Sequence, residues 1–186
     1  MTNPPKSPAT GTERLLKAVT DHAAASPTPY AGPVPEPLGP AAIARAEAAL
    51  GFALPPLLAG LYTRVGDGGF GPGYGLLPLE GAVTAYAEQR AGGDDDWGWP
   101  EGVLPLADWG CGMLACVDCR SEDAAVLLFE PNADFVESAW YVDTAGLDAW
   151  LRGWLDGTAW FMSEDGDMDV EPWPGFADRT AVPTAS

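Results

Sequence analysis

The stretch LPPLLAGLYTRVGDGGFGPGYGLLPL, residues 54–79, is the most distinctive part of this sequence. It opens with apolar residues at helical spacing and closes with an apolar segment, and six glycines lie between Gly66 and Gly75. Glycine adopts positive φ without strain and lets another segment approach the backbone closely, so this density predicts a tight, ordered turn. We therefore interpret the stretch as a helix, a glycine-rich elbow and a following strand.

Helical patterns precede and follow the elbow. Thr10 and Glu13 resemble a capping box, and we expect the helix that follows to be peripheral, because a proline-rich linker separates it from the rest. Pro40 suits the first turn of a second helix, which Gly51 would end. The apolar spacing then predicts a third helix over residues 57–65 and a weaker fourth around Val83 and Tyr86.

The second half of the chain changes to short apolar runs separated by Gly, Pro, Asn and Asp, which is typical of strands joined by turns. The predicted strands are residues 103–107, 113–118, 125–129 and 139–142. Thr144 is predicted to cap a final helix whose apolar stripe includes Trp150 and Trp154. Strands grouped between helices indicate an α+β fold, with a mostly antiparallel sheet flanked by helices.

These elements together resemble the SUKH superfamily (Smi/Knr-like proteins), which contains fungal cell-wall assembly regulators and many bacterial immunity proteins that neutralise toxins. The residues of the first half that carry the resemblance are Ile43, Glu47, Leu50 and Gly51, then Leu54, Pro55, Leu57, Leu58 and Tyr62, and then Gly68, Gly69, Phe70, Leu77, Pro78 and Leu79. Asp67 stands where the family most often has Asn. The motifs are not catalytic, so the resemblance implies a binding protein.

Further residues extend the resemblance over roughly residues 38 to 156. Residues 104–107 and 109–112 look like the family's next strands, and Asp118 looks like a recurrent acidic position. The resemblance implies that Gly68, Gly69 and Phe70 form a structural turn. Together with the composition of the flanking segments, it predicts three parts: an N-terminal helix and proline-rich linker (1–37), a SUKH-like domain (38–157) and an acidic C-terminal tail (158–186).

Length and composition fit one domain with tails. The chain has 186 residues, of which 47% are hydrophobic, enough for one substantial core. No apolar run approaches eighteen residues, so we expect no membrane insertion. The first eleven residues are rich in Pro, Ser and Thr and lack an apolar signal region, so we expect a cytoplasmic protein.

Charge is distributed unevenly along the chain. Up to Arg90 there are seven acidic and six basic residues, whereas from Ala91 onward there are twenty acidic residues and three arginines. A field of this sign repels nucleic acids and anionic membranes and attracts basic proteins. The alternative, that the acidity serves only solubility, stays open at this point.

The acidic loop at residues 92–102 is the predicted partner-binding segment. Large amphipathic rings beside negative charge suit contact with a basic protein surface. The candidate residues are Asp94, Asp95, Asp96, Trp97, Trp99 and, further along, Asp108. The alternative is that one or both tryptophans fold inward and cover the sheet, as large aromatic residues commonly do.

Candidate catalytic, cofactor and metal sites fail on inspection. The glycines of the elbow match G-x-G-x-x-G, but they follow a helix and precede a strand, the reverse of a dinucleotide site. Asp165, Asp167 and Asp169 lack the glycine and glutamate that a calcium loop needs. The single histidine, His22, is distant from the three cysteines, so zinc ligation and nucleophilic catalysis lack support. We predict no catalytic residue, no cofactor and no metal.

The sequence therefore predicts a non-enzymatic protein-binding domain, monomeric or weakly oligomeric. The acidic half points to a basic partner, and the resemblance implies an immunity protein, so a basic toxin such as a nuclease is the expected partner. Two alternatives stay open. One is an intracellular regulatory or scaffold protein of the same family, and the other is an uncharacterised small enzyme.

Overall fold

The computed structural model describes residues 11–25, 32–92, 98–133, 138–159 and 171–180. Within them the chain forms helices and one antiparallel sheet, which confirms the predicted α+β fold class. The helices are α1 (Gly11–Ala25), α2 (Pro40–Leu50), α3 (Pro56–Arg64), α4 (Leu79–Ala91), α5 (Leu147–Asp156) and α6 (Phe176–Thr180). The strands are β1 (Val103–Gly110), β2 (Met113–Asp118), β3 (Val126–Phe129), β4 (Trp140–Thr144) and β5 (Glu171–Pro172).

The sheet is a simple meander in the order β1-β2-β3-β4-β5. Val103 pairs with Asp118 at one end of the β1–β2 hairpin, and Gly110 pairs with Met113 at the other. All four residues of β3 are buried. Because successive strand residues point to opposite faces, both faces of the sheet are covered at this strand.

The first helix is part of the core, so the expectation that α1 is peripheral was wrong. Leu15, Leu16 and Val19 are at most 3% exposed, and α1 packs against α3 and α5. The carboxylate of Glu13 binds the guanidinium of Arg64, which ties α1 to α3. Thr10, the other residue of the predicted capping box, lies outside the described residues.

The start of the last long helix also differs from the prediction. Thr144 stays in β4, where its hydroxyl donates to Asp143 Oδ1, and Gly146 occupies the N-cap position of α5. The predicted apolar stripe is present, since Trp150 and Trp154 are buried. The start of α5 is therefore set by the end of β4. The Thr144 hydroxyl, which the sequence predicted as the cap, lies in that strand.

The elbow leads into a helix and not into the predicted strand. Only Leu76 forms a bridge, to Ala107 of β1, and the Leu77 N–H donates to the Leu106 carbonyl at 2.8 Å. Pro78 has no N–H to extend a ladder, and Asp67 Oδ1 accepts a hydrogen bond from the Leu79 N–H at 2.8 Å. That carboxylate caps the first turn of α4, so the chain turns helical at Leu79.

Residues 171–180, which fall in the predicted acidic tail, pack on the sheet. The two residues of β5 pair with Tyr141 and Val142 of β4, and Phe176 of α6 is 8% exposed. In the described part of the chain, no helix has both the length and the apolar character needed to cross a membrane.

The backbone closes tightly at Gly68. Gly68 has φ +75°, and a Cβ placed on it would lie 2.6 Å from the Leu76 carbonyl oxygen and 2.7 Å from Pro78 N. Gly51, which ends α2, has a similar φ of +80° but open space around the same position. A side chain at Gly51 would add only the strain of positive φ, whereas a side chain at Gly68 would add that strain and a clash with the backbone.

We expect Gly68→Ala to lower the free energy of unfolding by about 3 kcal/mol or more, because it adds a backbone clash to the strain of positive φ. Gly51→Ala should cost only about 1 kcal/mol, because it adds the strain alone. Urea unfolding of the two variants checks this. Equal losses would show that the elbow backbone relaxes around a side chain.

Tyr62 ties α3 to the elbow and makes stability sensitive to alkaline pH. Its hydroxyl donates to the Leu77 carbonyl at 3.0 Å, and burial, then the nearby Asp67 and Cys119, raise its pKa above the usual value of 10. A pKa raised by folding contributes stability below the unfolded-state pKa of about 10 and loses it as the pH rises toward the folded-state pKa.

Tyr62→Phe should therefore cost about 1 kcal/mol at pH 7, from the lost hydrogen bond. Above pH 10 the wild type should lose stability more steeply than the variant, by up to about 1.4 kcal/mol per pH unit. Urea unfolding at pH 7, 9, 10 and 11 measures both effects. Parallel pH profiles would show that Tyr62 ionises in the folded state without cost.

Candidate functional site

The glycine-rich elbow folds back on itself as a compact loop. The Gly69 N–H donates to the Leu76 carbonyl at 2.8 Å, and the Leu76 N–H donates to the Phe70 carbonyl at 2.7 Å. Gly68 and Gly69 both have positive φ, and Phe70 is 1% exposed. The loop is thus anchored by a buried ring at its base, and its tip lies at the surface.

The loop tip rests on the end of β1. A Cβ on Gly73 would lie 2.8 Å from two ring carbons of Trp109, so only glycine fits there. The ring of Tyr74 lies beside Gly110, about 3.6 Å from where a Cβ would stand on that residue. The loop tip and the ring of Tyr74 therefore lie against the end of β1.

A groove of about 350 Å³ runs between the elbow and β1, lined in part by Asp67, Tyr74 and Asp108. We call these three residues and the groove the elbow face. Tyr74 is 46% exposed and is the one exposed large hydrophobic residue in the described part of the chain. Asp108 is exposed and its Oδ1 accepts a hydrogen bond from the Gly110 N–H at 2.6 Å. The face therefore combines an aromatic ring with two carboxylates.

A second cavity, of about 520 Å³, lies between α2 and α4. Small side chains such as Ala42, Ala46 and Ala49 leave it open, and Arg45 and Glu80 are among its lining residues. Asp67 lines both this cavity and the groove of the elbow face. The elbow thus lies between two adjoining depressions of the surface.

The arginines of the acidic half are neutralised by ion pairs within the protein. The guanidinium of Arg120 binds the carboxylate of Glu101. Arg152 Nε lies 3.7 Å from Asp148 Oδ2, and Arg179 Nη2 lies 2.9 Å from Asp118 Oδ2. These are the only basic residues from Ala91 onward. Other acids have no such pair among the described residues, including Asp108, Glu122, Asp123, Glu130, Asp156, Glu171 and Asp178. In the described part of this half, acidic residues therefore remain that no arginine pairs with.

The predicted partner-binding residues lie in different parts of the structure or outside its described residues. Asp94, Asp95, Asp96 and Trp97 lie outside the described residues, and Asp108 is exposed on the elbow face.

Trp99 is a core residue, which corrects its assignment as a partner contact. It is 2% exposed, its indole N–H donates to the Val103 carbonyl at 2.8 Å, and its ring packs edge-on against Trp140 at 4.8 Å.

Sequence reasoning missed Tyr74. Its setting among glycines and a proline predicted only a turn, and no spacing rule marks one aromatic residue in a turn as exposed. The signal available was the residue type itself, because a large ring at the tip of a glycine-rich loop has few neighbours in sequence to cover it. Its partners on β1 come from over thirty residues later, so only the folded chain shows them.

Two of the three cysteines, Cys116 and Cys119, are poor nucleophiles in this fold. Burial raises the pKa of Cys116 well above its usual value, and burial together with the nearby Asp118 raises the pKa of Cys119 to about 12. Both thiols therefore stay protonated near neutral pH. His22 is on α1 and packs edge-on against Trp154 of α5, away from the β1–β2 hairpin that carries the cysteines.

Metal binding has no geometric support in the part of the chain that the structure describes. No group of three or more His, Cys, Asp or Glu side chains in those ranges is placed to hold a metal ion. The absence of a metal or cofactor stays a prediction, which elemental analysis of purified protein can test.

Comparison with known families gives a match over residues 37–153, to the family described as SMI1 / KNR4 family (SUKH-1). The match covers more than half of the chain, and it confirms the resemblance to the SUKH superfamily. No curated protein matches the sequence. The matched range contains α2 to α4, the elbow face and strands β1 to β4, so the candidate site belongs to the family domain.

Trp99→Ala should lower the free energy of unfolding by about 3 to 5 kcal/mol, because it removes a buried ring and leaves a cavity beside Trp140. Tyr74→Ala is the matched control, and it should cost about 1 kcal/mol or less because Tyr74 is 46% exposed. Chemical denaturation of both variants measures this. A small loss for Trp99→Ala would mean that its ring is not packed as described.

Proposed function

We propose that this chain, which belongs to the SMI1 / KNR4 family (SUKH-1), is an immunity protein that binds and neutralises a basic toxin domain such as a nuclease. The family is generally non-catalytic, so we take the activity to be binding alone. In this proposal the protein acts in the cytoplasm as a monomer or weak oligomer.

The elbow face is the observation that carries the proposal. Tyr74 offers an exposed ring, and Asp108 and Asp67 offer negative charge along the same groove. Aromatic residues fixed before binding make strong contacts at little entropic cost, and they are enriched among the residues that dominate binding energy. Such a face suits a basic surface that inserts an arginine or lysine beside the ring.

The surrounding charge supports a basic partner. All three arginines of the acidic half are engaged within the protein, so they do not oppose an approaching cation. Complementary charge raises association rates at low ionic strength and discriminates against acidic proteins. A toxin that acts on nucleic acid carries a basic substrate-binding surface, and covering that surface inhibits the toxin without any chemistry.

The first experiment identifies the partner. Wild-type protein and the Tyr74→Ala variant are each immobilised and used to capture proteins from cells of the native host. A basic protein retained by the wild type and lost by the variant is then expressed in a sensitive host with and without this chain. Rescue of growth supports immunity, whereas a harmless cellular partner would favour the regulatory role.

With the partner in hand, Tyr74→Ala should weaken binding by about 2 kcal/mol, roughly thirtyfold in Kd, mainly through faster dissociation. Asp108→Asn should slow association and flatten its salt dependence, because it removes charge yet keeps the acceptor for the Gly110 N–H. Surface plasmon resonance between 50 and 300 mM salt measures both.

Asp156→Asn is the matched control for charge. It removes the same charge from an exposed acid that lines a groove between α1 and α5 instead of the elbow face. Its association rate should stay near that of the wild type. Two results together would overturn the proposal for this face and place the contact elsewhere. One is an equal change of association rate for Asp156→Asn and Asp108→Asn, and the other is an unchanged Kd for Tyr74→Ala.

A further inference from the structure

Residues 171–180, which we call the C-terminal strap, lie outside the family-matched range but cover part of it. Their two-residue strand β5 pairs with β4 at the edge of the sheet. The backbone N–H of Trp173 donates to the backbone carbonyl of Trp140 at 2.9 Å. The strap is thus an addition to the family domain that occupies one edge of its sheet.

The guanidinium of Arg179 in the strap is bound by polar groups of the domain. Its Nη2 lies 2.9 Å from Asp118 Oδ2, and its Nη1 donates to the Glu101 carbonyl at 3.2 Å. Its guanidinium carbon is 6.0 Å from the centre of the Trp173 ring. Asp118 is 3% exposed and is the buried charged residue of the described chain. A carboxylate and a carbonyl of the domain, and a ring of the strap itself, therefore surround one guanidinium group.

An aromatic surface adjoins this arginine site. Phe176 stacks on Trp140, with ring centres 6.3 Å apart and planes 23° apart, and Trp140 itself packs on Trp99 and Phe129. The strap therefore contributes an aromatic residue and, three positions later, an arginine. Both contact residues of the family-matched domain.

The attachment of the strap is slight compared with that of the other elements. It consists of two ladder residues and a five-residue helix whose Ala177 and Asp178 are exposed. The Trp140 indole N–H beneath it is buried without a hydrogen-bond partner among the described residues, which costs stability. The other oxygen of Asp118 accepts from the Arg120 N–H within the β2–β3 turn, so part of the site stays ordered without the strap.

We propose that Asp118, the Glu101 carbonyl and the face of Trp140 form a binding site for a peptide segment carrying an aromatic residue and, three positions later, an arginine. The strap fills this site in cis, and such a segment of a basic partner displaces it. Only the basic character of that partner rests on the proposed function. The site is distinct from the elbow face, because Asp118 and Asp108 lie toward opposite ends of β1–β2.

Competition between the tethered strap and a free ligand would make the site selective for ligands that bind tightly. A tethered segment has an effective concentration near millimolar, so it excludes weak ligands. Arg179 also neutralises Asp118 while no partner is bound, which avoids leaving a buried charge unpaired. A partner must therefore supply its own guanidinium to take the place of Arg179, and a lysine, which lacks the planar fork, would fit less well.

The test uses full-length protein and a fluorescent peptide of residues 171–180, EPWPGFADRT. The double variant Phe176→Ser/Arg179→Gln opens the strap, and we expect it to bind the peptide at least tenfold more tightly than the wild type does. The same peptide carrying Arg179→Gln should bind at least tenfold more weakly. Adding Asp118→Asn to the open variant should abolish the difference between the two peptides.

Asp178→Asn is the control within the strap, since Asp178 is exposed, and it should leave peptide binding at the wild-type level. Equal binding of the two peptides, or no binding to a folded open variant, would overturn the proposal. Because no toxin enters this experiment, its failure leaves the function proposed for the elbow face untouched, and failure at the elbow face leaves this result standing.

Hydrogen exchange of the wild type tests the same proposal if the open variant does not fold. The amides of Trp173 and Arg179 should exchange at least a hundredfold faster than that of Cys116 in β2, through local opening of the strap. Millimolar peptide should accelerate their exchange further by holding the strap open. Exchange of strap amides only at the rate of global unfolding, with or without peptide, would contradict a displaceable strap.

Discussion

The close approach of the Gly68 backbone to residues 76–78 is the contact on which the rest of the structure depends. It folds the elbow back on itself, so that Leu76 and Leu77 reach β1 and α4 can begin at Leu79. The buried Tyr62 and the half-buried Asp67 hold the two sides of this closure by hydrogen bonds to Leu77 and Leu79. A side chain on Gly68 would disturb this junction between the helices and the sheet.

The same closure builds the surface that we propose for binding. The elbow needs glycines where its backbone meets β1, and these leave Tyr74 as a large side chain at the loop tip. A loop made rigid for packing reasons thus presents a preorganised aromatic residue, which reduces the entropy lost on binding. In the proposed complex, charge would add selectivity, because the arginines of the acidic half are used within the protein. Under this proposal, stability and recognition have a common structural origin.

Both ends of the chain extend the family domain, each in a different way. The helix α1 buries Leu15, Leu16 and Val19 against α3 and α5, so it enlarges the core. The C-terminal strap contributes Phe176 and Arg179 over Trp140 and Asp118, with few backbone contacts. Apolar burial spread along a long helix makes α1 integral, whereas the strap is attached through the local contacts of a short segment, and its proposed displacement rests on this difference.

The sequence by itself determined the α+β class, the positions of the main helices and strands and the family, because these depend on local periodicity, turn residues and short motifs. It also determined the charge asymmetry. Only the tertiary structure decided that Trp99 is buried against Trp140, that Tyr74 is exposed, that Leu79 begins a helix and that Arg179 meets Asp118. Each of these depends on a contact between residues distant in sequence or on what covers a side chain, and periodicity along the chain carries no information about either.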